Sequence, residues 1–273
     1  MLGKLFKYEW RSISKLLLPI HGFVLLFALL SRLYFTLGGG IDSLMNTDFT
    51  IINVLTMLLI FAIAVILSSV VIFTYIYTGY HFYKNVFTDQ GYLTNTLPVT
   101  SAQLLLSKAL VALLWLLVDV IVIILSSLIL AATKDFFSGF GVFWDAMTGY
   151  ASQVPLFTAL LILALIIMPF QLISWLFFSI TIGNLASSHK VLASIGAYVG
   201  IYIVQQIFGL IQLVVWGYSS SNMIMWANID GSNYTFEPFL NPILITGLIF
   251  NVILIVVCWM GSKYIMTKKL NLQ

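Results

Sequence analysis

Few side chains in this chain are equipped for chemistry, and most of them stand alone. Asp119 is the acid near the middle of a long apolar run, about halfway along 104–133. A charge at membrane depth is disfavoured by roughly 3 kcal/mol on insertion scales, so such a residue marks a functional site by default. Two readings of it stand level. It lines a translocation path, or it is a protonated or hydrogen-bonded Asp that knits helices together. Gln205 and Gln212 are seven residues apart and share a helix face, a polar stripe that joins Asp119 as a candidate path lining. Arg32 lies roughly 24 Å along a helix from Leu16 and reads as structural, snorkelling to the far interface or pairing with Asp42 or Asp48. His21, His81 and His189 fall near one membrane boundary with no acid at ligand spacing, so each reads as an interfacial polar residue and no metal site is expected. The single Cys258 allows neither a disulfide framework nor a cysteine-based metal site.

Other chemistry is missing. The chain has no Gly-x-x-x-x-Gly-Lys-[Ser/Thr] loop to cradle phosphate, no His-Glu-x-x-His pair and no Gly-x-Ser-x-Gly elbow. No catalytic residue is expected, and no cofactor bound by this chain.

The elements that hold these residues follow from composition. Of 273 residues, 61% are hydrophobic and 8% charged, with a mean hydropathy of +1.08. Soluble domains carry about 25% charged residues, too many for this chain to imitate. Apolar runs at about 16–37, 51–78, 104–133, 155–182, 191–216 and 242–265 are each long enough to cross a bilayer. Backbone groups in lipid must be satisfied within the segment, so the runs are helices. The expected fold is all-α: a polytopic integral membrane protein with six transmembrane helices over 16–270, preceded by an N-terminal amphipathic interfacial helix over 1–15. In that helix Leu2, Leu5, Phe6, Trp10 and Ile13 follow helical spacing, while Lys4, Lys7, Arg11 and Lys15 occupy other faces. It should lie in the headgroup plane, with Phe6 and Trp10 as interfacial anchors, before the chain turns into the first span.

Lys and Arg set the orientation. Six spans place Lys4, Lys7, Arg11, Lys15, Lys84, Lys108, Lys190, Lys263, Lys268 and Lys269 on one side, ten of the twelve basic residues. Both termini are therefore expected in the cytoplasm of a cell-membrane protein. Pro155 marks the start of the fourth span, and Pro169 should kink or break it. The outer loop over 217–241 is expected to hold short surface or re-entrant helices.

The most informative segment is cytoplasmic, 84–103. Gly91 allows a turn, Leu93 and Leu97 share one side of a short helix, Pro98 ends it, and Thr100 or Ser101 caps the next span. A short helix hung between two spans suits a part that transmits force to a partner.

The run Asp89, Gly91, Leu93, Leu97, Pro98, Val99 and Thr100 resembles the coupling-helix region of bacterial ABC-2 type ABC transporter permeases. The opening Leu2-Gly3-Lys4-Leu5-Phe6-Lys7-Tyr8-Glu9 is similar to the start of many such permeases. Asp89 stands where Glu is usual, and the Gly-to-Pro interval is shorter than in many members. The resemblance implies the transmembrane subunit of an ATP-driven exporter of peptides, antibiotics or lipid-like molecules. It implies a dimer with a second permease copy or a related permease, and two copies of a separate ABC ATPase subunit that bind ATP and Mg. Asp89, Gly91, Leu93, Leu97 and Pro98 are its implied ATPase-coupling residues. Nucleic acid is not an expected partner; the lipid bilayer is. Two other classes remain beside it: an ion-coupled secondary transporter using Asp119, and a non-transporting scaffold or sensor subunit.

Overall fold

A computed structural model describes residues 2–37, 51–88, 91, 99–217 and 237–268. Among them the chain forms seven helices: α1 (Leu2–Leu37), α2 (Ile51–Phe87), α3 (Ser101–Ala131), α4 (Lys134–Gln153), α5 (Pro155–Gly183), α6 (Lys190–Gly217) and α7 (Glu237–Lys268). All but α4 are long and apolar enough to cross a membrane. Large hydrophobic side chains stay exposed along each of them, for example Leu26, Phe61, Ile121, Leu165, Val214 and Met260. A water-soluble monomer does not display apolar surface on this scale. Lipid is its solvent, and the chain is a multi-pass membrane protein.

Local chemistry explains the helix ends. Thr100 and Gln103 form a reciprocal capping box: the Gln103 N–H donates to Thr100 Oγ1 (3.3 Å) and the Thr100 N–H to Gln103 Oε1 (3.4 Å). Thr133 caps α4 through its Oγ1, which accepts from the Phe136 N–H at 3.1 Å. Pro155 opens α5, where its missing N–H leaves no bond unmade. Pro169 sits inside α5 and does not break it.

One expectation changes. The amphipathic N-terminus and the first span are one uninterrupted helix, α1, with no turn into the membrane between them. At 1.5 Å per residue α1 is about 54 Å long, well beyond a bilayer core of about 30 Å, so its first turns project past the apolar region. The segment between the third and fourth spans is a helix, α4. The expected helices over 217–241 fall mostly outside the described residues.

By its contacts the chain divides into two compact units, Met1–Phe82 with Leu106–Val142, and Tyr83–Leu105 with Phe143–Gln273. In the first, α1, α2 and α3 pack along buried positions at intervals of three and four: Ile13, Leu17, His21, Val24, Ala28 and Ser31 on α1. Apolar layers form at Ile13, Leu17, Val111 and Trp115, and again at Val24, Val70 and Val122. The second unit packs α5 against α6 and α7. There Gly183 lies directly against Ser194, and Gly261 against the Phe178 ring. Phe208 and Phe250 stack at 3.7 Å. Gln212 donates to the Ile243 carbonyl (3.1 Å) and to Thr246 Oγ1 (2.6 Å), binding α6 to α7.

Candidate functional site: polar layers in the α1–α2–α3 bundle

Apolar contacts between helices do little to fix register in lipid, because acyl chains are as apolar as Leu. Polar groups buried between helices carry more of that information. In the first unit two such groups and a half-buried third, Arg32, alternate with the two apolar layers.

The first is a clamp centred on Glu9. One carboxylate oxygen lies 2.8 Å from His81 Nδ1 and the other 2.8 Å from Lys108 Nζ. A carboxylate only accepts, so His81 carries a proton on Nδ1, and its Nε2 meets Ser12 Oγ at 3.0 Å. One acid on α1 thereby joins α2 and α3. Lys108 is 3% exposed, an ammonium that would be untenable there without Glu9. Glu9 precedes the apolar run that begins at Leu16. Burial alone would raise its pKa, but the His81 hydrogen bond and the Lys108 charge outweigh burial and hold it below the ordinary carboxylate value.

The second is deeper. Asp119, fully buried, accepts on Oδ1 from Thr74 Oγ1 at 2.9 Å and lies 2.6 Å from His21 Nε2. His21 Nδ1 is 2.6 Å from the Leu17 carbonyl, an acceptor only, so that nitrogen is protonated. A second proton must then lie between His21 Nε2 and Asp119 Oδ1. The pair is net neutral wherever that proton sits. Asp119 Oδ2 is buried with no hydrogen-bond partner. Lys108 and Asp119 are separated by about 16 Å of helix, half a bilayer core.

Aromatic rings link the two layers. Phe6 stacks on Trp10 (6.3 Å), Trp10 on Trp115 (5.0 Å), and Trp115 lies against His21 (5.2 Å). Phe6 and Trp10, read as lipid anchors, pack against the buried cluster of Ile13, Leu17, Val111 and Trp115. The third layer is Arg32, which donates to the carbonyls of Leu130 (3.1 Å) and Ala132 (2.6 Å), at the end of α3. A cation on those exposed carbonyls also complements the helix dipole.

The sequence reading of the histidines is corrected by these contacts. His21 and His81 both have acidic partners, supplied by other helices, and His21 lies a layer deeper than the boundary. Glu9 was given no role of its own in the sequence reading. Its signal was positional: an acid three residues from Phe6 and four from Ile13, on the apolar side of a basic helix. Of the residues expected to couple to an ATPase, Asp89, Leu93, Leu97 and Pro98 lie outside the described residues. Gly91 is buried, with its N–H on the Thr88 carbonyl at 2.6 Å. Gln205 Oε1 is buried without a hydrogen-bond partner, while Gln212 is spent on the α6–α7 contact.

No protein-family model, no curated protein and no solved structure matches this chain.

Proposed function

We propose that this chain is the membrane-spanning subunit of an ATP-driven exporter of the ABC-2 type, working with a separate ATPase. The observation that carries the reading is the mount around the coupling segment. His81 lies six residues before the end of α2, and Lys108 seven residues after the start of α3. Both are bound by the same carboxylate, Glu9. The segment holding Asp89, Gly91, Leu93, Leu97 and Pro98 therefore hangs between two helices locked together close to its ends. A push on it would be delivered along α2 and α3 towards the two residues that Glu9 binds. Nucleotide binding belongs to the partner, in keeping with the missing phosphate loop. Leu93 and Leu97 are the apolar anchors that a groove on the ATPase would receive. The complex is a dimer of permeases over two ATPases, in the cell membrane, with cytoplasmic termini; its cargo is a peptide, antibiotic or lipid-like molecule.

The test is to tag the chain, co-express it with the genes flanking its own, and purify it in detergent with and without Leu93→Asp. A soluble ATPase that co-purifies with the wild type and is lost from the variant, at equal membrane insertion, supports the reading. An ATPase held equally by both would remove Leu93 from the interface.

The His21–Asp119 pair favours a second reading, an ion-coupled transporter that loads a proton at this site. The two part on Asp119→Asn. An ATP-driven exporter keeps its nucleotide dependence in that variant. An ion-driven one loses response to a pH gradient and never responded to ATP.

A further inference from the structure

Helix α4 is explained neither by the six crossings nor by the ATPase reading. Along its 20 residues Phe136, Phe140, Phe143, Met147 and Tyr150 recur at intervals of four and three, on one face. Ser138, Asp145 and Ser152, seven apart, run down the opposite face with Gly141 and Thr148 beside them. On this face Met147 is 44% and Tyr150 57% exposed. The face carries no charge, and Phe-rich apolar faces of this kind are what interfacial helices sink into the boundary between headgroups and acyl chains.

Connectivity says what covers this face. Two residues, Ala132 and Thr133, separate α4 from the end of α3, and Val154 alone separates it from α5. Helices α3 and α5 both cross the membrane, whereas α4 is not among the helices long and apolar enough to do so. Both ends of α4 are therefore tied, by one or two residues, to the same membrane face. About 30 Å of amphipathic helix so tethered cannot leave the surface. We propose that α4 lies in the plane of the membrane face at which α3 ends, with its aromatic side sunk into lipid and Asp145 turned to water. The occupant of the apolar face is the bilayer that also covers α3 and α5.

The experiment uses the full chain in lipid nanodiscs, in a Cys258→Ala background. Single cysteines at Met147, Tyr150, Asp145 and Ser152 carry nitroxide labels, and collision rates are measured with oxygen and with a water-soluble nickel chelate. Two positions per face keep the answer readable if one variant does not fold. The expected result is several-fold greater oxygen than nickel access at Met147→Cys and Tyr150→Cys, and the reverse at Asp145→Cys and Ser152→Cys. The proposal is overturned if all four labels are open to nickel. It is equally overturned if the labels at 147 and 150 are shielded from both reagents, which would place protein over that face. Lipid access on both faces would make α4 a seventh crossing, and would sink it too.

Discussion

His21 Nε2 and Asp119 Oδ1 lie 2.6 Å apart although 98 residues separate them in the chain. Both groups are buried, and a proton must sit between them. Magnitudes distinguish what such a pair is worth. A neutral hydrogen bond between membrane helices contributes about 0.6 kcal/mol, whereas removing one partner of a buried charged pair costs about 3 kcal/mol or more. We expect His21→Leu and Asp119→Leu each to lower stability by about 3 kcal/mol, and the double variant to cost far less than their sum. Reversible unfolding in mixed micelles measures all four corners of this cycle. Additivity within about 0.5 kcal/mol would show that the pair contributes nothing as a pair.

Glu9 predicts a pH dependence with a definite sign. Its folded pKa lies below its unfolded value, so the clamp's contribution is complete above the unfolded value, about 4.3, and fades as pH falls through the folded one. Wild type should melt well above Glu9→Gln at pH 7, and the gap should shrink as pH falls below about 4.3, the unfolded value. A gap that stays constant down to pH 3 would mean that the carboxylate charge is not what holds Lys108 and His81.

Glycines separate close approach from open surface. A Cβ on Gly183 would collide with Ser194 backbone atoms, which cannot swing away, whereas Gly196 and Gly200 have nothing within 4 Å. Gly183→Ala should destabilise by about 1–3 kcal/mol through overpacking. Gly196→Ala should be neutral or stabilising by up to about 1 kcal/mol, from helix propensity. Thermal melts of the two variants in one detergent decide this. Equal melting temperatures would contradict the α5–α6 packing.

Much of the architecture was legible in the sequence, for a physical reason. A run of some twenty apolar residues has few fates, so six spans could be counted from hydropathy alone. A cap at Thr100 or Ser101 was equally readable, because capping is local, and Thr100 is the residue used. Helix α4 was not read, since Gly139, Gly141 and Gly149 give its sequence the look of a loop; the Phe136–Phe140–Phe143–Met147–Tyr150 spacing was the available sign. Asp119 could be singled out as a buried acid, but not its partner. Whether His21 faces Asp119 depends on how α1 slides against α3, and that register is set by packing across the bundle. The same holds for Glu9 and Lys108, 99 residues apart.

The proposed function requires that this chain work with a separate ATPase, bound through residues 84–103. Native mass spectrometry of the tagged protein, co-expressed with its flanking genes and released gently from detergent, weighs that complex directly. The account predicts an assembly of two permease chains, or one and a related permease, with two copies of a soluble ATPase. It further predicts that Leu93→Asp leaves the permease chains without it. A wild-type chain that flies alone or as a bare oligomer, with no ATPase in any charge state, would contradict it.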